Sequence, residues 1–161
     1  MTPANYPCLA DIAKAIAKPF DGEEFSPVAR QLGLSWSDGD KLDAGVEVYD
    51  FFLKDLGLNF TFEDEGVLFD REYHDAGDGP FVLTKCAFWG HERGMQRYPG
   101  PLWQGISFED SLEAVKEKLG EPTKVNERGG VYFWVNPDFR LTVTWTSPEK
   151  IRVVTCWMNR S

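Results

Sequence analysis

The chain has 161 residues, a hydrophobic fraction of 42% and a formal net charge of −9 at pH 7. A chain of this length can bury enough apolar surface to fold without a metal or a disulfide, and its apolar content is too high for a disordered segment. The acidic balance disfavours nucleic-acid binding, which needs a basic face, and no apolar run is long enough to span a membrane.

The start of the chain predicts a short helix. Leu9, Ile12, Ala13 and Ile16 recur at helical spacing, and Pro19 is expected to end the helix. The segment has neither the basic start nor the apolar core of a secretory signal. We therefore expect a cytoplasmic protein.

Two further helices are predicted 87 residues apart. The first ends at Gly33, and the second starts at a capping box over residues 107–110 and ends at Gly120, before Pro122. Phe108 is expected on the apolar face of the second helix. The matched positions are Phe25, Val28, Leu32 and Gly33 in the first helix and Leu112, Val115, Leu119 and Gly120 in the second.

Strand-like segments follow both helices. The first set reads GVEVYDFFL, LGLNFTFED, GVLFDREYH and GPFVLTKCAFWG, and the second reads GGVYFWV, FRLTVTWT and KIRVVTCWMN. Alternation such as Leu58, Phe60 and Phe62 is typical of half-buried antiparallel strands. Residues 147–150 are expected to form a hairpin loop.

These elements predict an α+β fold of two tandem helix-plus-antiparallel-meander units, with the helices packed on one face of the sheet. Residues 1–92 form the first unit, 93–104 a connection and 105–161 the second unit, all within one structural domain. The alternative to a duplication is a chance likeness between two amphipathic helices.

The second unit carries the residues of a known pattern, namely Gly105, Ser107, Val115, Leu119, Gly120 and Pro122. With these residues it resembles the module of beta-lactamase-inhibitor-like domains, which occurs in tandem, and that of bacterial outer-membrane assembly lipoproteins. Residues 101–108 and the helix after them also resemble bacterial toxin-immunity proteins of the polymorphic toxin type. This resemblance implies a partner, a cognate toxin, and no catalysis.

The negative charge is concentrated in the first half of the chain. Residues 1–80 contain 17 acidic and 6 basic residues, whereas residues 81–161 contain 9 acidic and 11 basic residues. The densest stretch is Glu63, Asp64, Glu65, Asp70, Glu72, Asp75 and Asp78. It is either a solvated surface or a patch that steers a basic partner into contact.

The candidate partner-binding residues combine this acidic stretch with aromatic residues near the connection. Six tryptophans are many for this length, and interfaces are enriched in Trp and Tyr. We expect Trp89, Tyr98 and Trp103 to be partly exposed, because they lie among Gly, Pro and charged residues. The full set is Glu63, Asp64, Glu65, Asp70, Glu72, Trp89, Tyr98 and Trp103.

Catalytic, metal and cofactor sites are not predicted. His74 and His91 are the candidates for acid–base work, and both are expected in loops. Cys8, Cys86 and Cys156 are expected to be buried free thiols, since they are odd in number and form no CxxC pair. No glycine-rich phosphate loop is present.

Two functional hypotheses follow. The first is an immunity or inhibitor protein that occludes the active site of a cognate toxin with a basic cleft. The second is a small enzyme or ligand-binding protein with a pocket near His74 or His91.

Overall fold

The computed structural model describes residues 6–41, 47–147 and 150–159, which fold as an α+β structure around one antiparallel sheet. The helices are α1 (Leu9–Ala13), α2 (Ser26–Leu32), α3 (Glu65–Leu68) and α4 (Leu112–Leu119). The strands are β1 (Asp40–Lys41), β2 (Val48–Leu53), β3 (Leu58–Asp64), β4 (Phe81–Trp89), β5 (Lys124–Asn126), β6 (Val131–Val135), β7 (Arg140–Ser147) and β8 (Lys150–Trp157).

The eight described strands are ordered β1-β2-β3-β4-β8-β7-β6-β5 in the sheet. Each half of the chain thus contributes four consecutive strands, and the halves meet where β4 pairs with β8. The strands β1 and β5 lie at the two edges, and neither was predicted from the sequence because each has only two or three residues.

Alternation along the strands separates an apolar face from a polar face. One continuous row of paired residues on the apolar face is Phe51, Phe60, Cys86, Cys156, Leu141 and Trp134, all buried. The neighbouring row on the polar face is Asp40, Asp50, Thr61, Lys85, Trp157, Arg140 and Val135. The pattern confirms the predicted period-2 strands.

The first predicted helix is shorter than expected. Helix α1 ends at Ala13, and Ile16 lies outside it. Ala17 has a φ of +70°, which leaves the helical region, and its N–H donates to the Leu83 carbonyl at 2.7 Å. The chain here extends along β4 beyond the point where β4 pairs with β8.

Helix α2 matches its prediction at the C-terminal end, because Gly33 adopts the left-handed conformation with a φ of +68°. Helix α4 starts later than predicted. Its N-cap is Ser111, whose Oγ accepts the Ala114 N–H at 3.2 Å. Ser107 instead forms a separate turn, in which its N–H donates to Asp110 Oδ2 at 2.9 Å.

The prediction of a strand over GVLFDREYH is wrong. Asp64 ends β3 with its side chain accepting the Gly66 N–H at 2.9 Å, which caps a short helix, α3. The rest of the segment is a loop that leads to β4. The predicted hairpin loop includes residues 148–149, which lie outside the described residues, although Ser147 and Lys150 are paired.

The connection over residues 93–104 is packed against the core. Tyr98 is 2% exposed, and its hydroxyl donates to the Pro7 carbonyl. Leu102 is also buried. Gly57 permits this packing, because a Cβ there would lie 2.1 Å from the Gln96 carbonyl oxygen.

The three cysteines are free thiols. Cys86 and Cys156 are buried and directly opposite each other on β4 and β8, whereas Cys8 is half-buried. Burial raises the pKa of both strand thiols, which keeps them protonated and unreactive.

Candidate partner-binding site

The region that combines negative charge with exposed apolar surface is the loop between β3 and β4. We call residues 65–80 the acidic loop. It contains five acidic residues and one basic residue, Arg71. Arg71 pairs with Glu65 and lies over the Phe69 ring, 5.9 Å from its centroid. The other four carboxylates give the loop a strongly negative surface.

Asp64 holds the acidic loop from its base. Its side chain is fully buried, and Oδ2 accepts the N–H groups of Gly77 at 2.7 Å and Gly79 at 3.2 Å. Oδ1 accepts the Gly66 N–H at 2.9 Å and lies 2.6 Å from His74 Nε2. One carboxylate therefore ties the start, middle and end of the loop together.

The hydrogen bonds keep Asp64 ionised. Burial by itself raises the pKa of this carboxyl, but the N–H groups of Gly77 and Gly79, His74 and the Gly66 N–H together lower the pKa below its usual value. Because an ionised carboxylate only accepts, His74 Nε2 carries the proton in this contact. The ring of His74 packs on Gly66, where an added Cβ would lie within 2.4 Å of it.

The acidic loop displays apolar side chains that the fold leaves in water. Tyr73 is 102% exposed, Phe69 is 55% exposed and Val67 is 42% exposed. Asp70 and Tyr73 have positive φ values of +48° and +59°, a conformation that is costly for residues other than glycine. The strained backbone thus lies at Tyr73 and at Asp70, next to Phe69. Sequence reasoning missed all three exposed side chains, since GVLFDREYH was taken as a strand.

The structure separates the predicted acidic residues into different environments. Asp70 and Glu72 are exposed in the acidic loop, and Glu65 is half-buried in its ion pair with Arg71. Glu63 lies on the polar face near the end of β3, before the loop begins. Asp64 is a correction to the prediction, because its buried carboxylate serves the loop's own backbone and is turned away from solvent.

The three predicted aromatic residues do not form one patch. Trp89 is half-buried at the end of β4, where its Nε1 has no hydrogen-bond partner among the described residues. Trp103 is half-buried and packs edge-on against Phe139 at 5.1 Å. The expectation that Tyr98 is partly exposed is wrong, since the ring lies in the core against Phe88.

A cavity of about 790 Å³ connects one of these aromatic residues to the acidic loop. Trp103 and Phe69 both line it, together with residues of α1 and of the turn before β7. Lys18 and Asp138 also line it. The cavity extends the exposed apolar surface of Phe69 into a recess beside the loop.

The two histidines have structural partners. His74 is bound to Asp64, and its side chain is only 15% exposed. His91 lies 3.3 Å from a Glu109 carboxylate oxygen and within hydrogen-bond distance of Arg97, which also pairs with Glu109. Neither histidine lines the 790 Å³ cavity. Within the described residues, no group of three or more His, Cys, Asp or Glu side chains is placed to hold a metal ion.

A scan against protein-family models and searches of curated proteins and of solved structures found no match. In the part of the chain that the structure describes, no helix has both the length and the apolarity needed to cross a membrane.

Proposed function

We propose that this protein is an inhibitor of the immunity type, which binds a cognate bacterial toxin in the cytoplasm and occludes its active site without catalysis. One observation carries the proposal. The acidic loop is fixed at its base by Asp64 and presents Phe69 and Tyr73 to solvent, outside the buried core. Aromatic side chains held in this way are the anchors that interfaces use.

The charge of the acidic loop supports a basic partner. Carboxylates around an exposed aromatic anchor complement a basic cleft, such as that of an enzyme acting on nucleic acid or on a phosphorylated nucleotide. Because the loop is already held by backbone hydrogen bonds to Asp64, little ordering remains to be done on binding. The loop therefore suits tight binding as well as fast association.

We further infer that the chain is a tandem duplication. The strand order supports this, because β1 to β4 and β5 to β8 occupy corresponding positions on either side of the β4–β8 pair. The register supports it too, since Cys86 pairs with Cys156, and these are the cysteines of the similar segments LTKCAFW and VVTCWM. An approximate two-fold axis through this pair would relate the two units.

The helices of the two units are inferred to cover the same face of the sheet. The Phe25 ring, which precedes α2, lies 5.1 Å from the rings of Phe60 and Phe62 on the apolar face. In the second half, Trp134 of the apolar face donates from Nε1 to the Gly120 carbonyl at the end of α4. Val115 of α4 is buried in the same core.

The proposal is tested with a double variant, Phe69→Ala with Tyr73→Ala. The partner is first captured with the wild-type chain and identified, and its affinity is measured by calorimetry. We expect the double variant to bind about 100-fold more weakly, because truncating an interface anchor removes a large share of the binding energy. Its urea-unfolding midpoint should stay close to wild type, since both side chains are exposed.

Val125→Ala is the matched control, because Val125 is 39% exposed but lies on the edge strand β5, outside both the acidic loop and the polar face. It should leave partner affinity unchanged. Equal affinity of the double variant and the wild type would contradict the proposed site. A captured partner whose activity is unaffected by stoichiometric binding would contradict inhibition.

Charge steering is tested separately with Asp70→Asn and Glu72→Gln together. Both residues are exposed in the acidic loop. Association should slow several-fold at low salt, and the difference should shrink as salt shortens the Debye length. An association rate that is unchanged at low salt would contradict the role of these charges.

A further inference from the structure

The polar face of the sheet carries opposite charges on its two halves. Asp40 and Asp50 lie on β1 and β2, whereas Lys85, Arg140 and Lys124 lie on β4, β7 and β5. None of these five has an ion-pair partner among the described residues. In a chain with a net charge of −9, three unpaired cations on one face are unexpected.

The two sets of charges form no ion pair within one molecule, since even the nearest pair, Asp50 and Lys85, lies two strands apart, about 10 Å at the usual strand spacing. Asp50 and Arg140 are four strands apart, a separation of about 19 Å at the usual strand spacing. This exceeds the Debye length of about 10 Å at 0.1 M salt. Asp40 and Asp50 are moreover directly opposite each other, and like charges in that position destabilise a strand pair.

The cations are held in place by aromatic rings. Arg140 lies over the rings of Phe133 and Trp157, at 5.8 and 5.5 Å from their centroids. Lys85 lies 5.0 Å from the Trp157 centroid, and Lys124 lies 5.7 Å from that of Phe133. Arg140 Nε is buried and has no hydrogen-bond partner among the described residues. These cations are therefore positioned before any anion arrives.

We propose that the polar face is the interface of a homodimer, with the two-fold axis parallel to the central strands β4 and β8. This axis lays β1 over β5 of the second copy, and β2 over its β6. Asp40 then approaches Lys124 of the second copy, offset from direct opposition by two residues along the strand, or about 7 Å, which a lysine side chain can span. Each acidic half meets a cationic half. The arrangement supplies counter-charges to both sets of residues through one contact.

The apolar residues and the size of the face fit this arrangement. Phe52 on β2 is 48% exposed and Val135 on β6 is 55% exposed, and the axis brings the two strands into contact. Eight strands of about six residues span about 34 by 20 Å, or roughly 700 Å² per copy. This is close to the 800 Å² or so that each partner buries in a standard interface.

A second copy fits better than an anionic ligand. A nucleic acid or an acidic peptide would meet the cations of β4 to β7, but it would also meet Asp40 and Asp50 on the same face. A surface that itself carries an acidic half and a cationic half offers counter-charges to the cations and to the two aspartates. The acidic loop is not part of the polar face, so the dimer leaves the proposed toxin-binding site free, and the two proposals can fail separately.

The test is the mass of the full chain by sedimentation velocity, from about 1 to about 500 μM. We expect a dimer in the wild type. Asp40→Lys and Lys124→Glu each place like charges across the interface and should weaken it about tenfold or more. Both residues are exposed on edge strands, so neither change should affect folding.

Mixing the two variants gives the decisive result. One copy with Asp40→Lys and one with Lys124→Glu restore opposite charges at both contacts, and the mixture should dimerise as the wild type does. Lys54→Glu, an exposed control in the turn after β2, should change nothing. A wild type that stays monomeric, a dimer indifferent to both charge reversals, or a mixture that does not associate would each overturn the proposal. A monomer that binds poly-glutamate through Lys85 and Lys124 would replace it with an anionic partner.

Discussion

Replacing Asp64 with asparagine tests whether one carboxylate organises the acidic loop. The substitution keeps the shape of the side chain but leaves only one acceptor oxygen. Whichever oxygen remains, the other position presents an NH₂ group either to Gly77 and Gly79 or to Gly66 and His74. At least two donors then lose their acceptor in a buried site.

The cost follows from those lost contacts. A buried donor without a partner costs about 1–3 kcal/mol, so Asp64→Asn should lower the free energy of unfolding by about 2–4 kcal/mol. The loss can be smaller if the loop opens locally, since an open loop hydrates its own N–H groups. In that case the amides of Gly77 and Gly79 exchange with solvent faster than in the wild type.

Urea unfolding and amide hydrogen exchange therefore have to be measured together. Asp75→Asn is the matched control, because Asp75 is an exposed carboxylate in the same loop, and its replacement should change the free energy of unfolding by less than about 0.5 kcal/mol. If Asp64→Asn resembles this control in stability and leaves the protection of Gly77 and Gly79 unchanged, Asp64 does not hold the loop.

Three further predictions concern the same structure. The pKa of Asp64 is lower in the folded than in the unfolded chain, so its stabilisation is present above about pH 4 and is lost as the pH falls through the folded value; urea unfolding at pH 5 and pH 2 should show a smaller acid loss in Asp64→Asn than in the wild type. Gly66→Ala should destabilise the loop by about 1–3 kcal/mol because its Cβ overlaps the His74 ring, whereas Gly129→Ala, with no atom closer than 3.5 Å, should have little effect in urea unfolding. In native alkylation followed by mass spectrometry, half-buried Cys8 should react before the two strand cysteines, and equal rates would contradict their burial.

The strands were predictable because their signal is local. Alternation of Phe60 and Phe62 with polar residues marks β3, and Gly33 marks the end of α2 through its own backbone preference. Helix α4 was predicted to begin at the capping box of Ser107, but its N-cap is Ser111. Both form turns, and burial of Phe108 in the core leaves the helix to begin after Ser111.

The candidate site was less predictable because long-range contacts build it. In the sequence, Asp64 looks like any other acidic residue of a charged run. Its carboxylate in fact accepts the N–H groups of Gly77 and Gly79, which are 13 and 15 residues away. Tyr98 lies among Gly, Pro and charged residues, but Phe88 and Pro7 bury it. The residue types around Asp64 and Tyr98 in the sequence do not reveal these long-range contacts.

The charge pattern of the polar face also depends on contacts between residues that are far apart in the sequence. Counting charged residues along the sequence shows that the excess of acidic residues lies in the first half of the chain. Lys85, Arg140 and Lys124 form a cluster only because the strand register places all three side chains on the same face of the sheet. A single sequence does not contain that register.

The acidic loop is the proposed partner-binding surface of an inhibitor. The most direct test is hydrogen exchange of the wild-type chain with and without its captured partner, at a stoichiometric ratio. We expect new protection to be concentrated in residues 65–80 and to be absent in the Phe69→Ala, Tyr73→Ala double variant. Protection elsewhere in the chain, with residues 65–80 still exchanging freely in the complex, would contradict it.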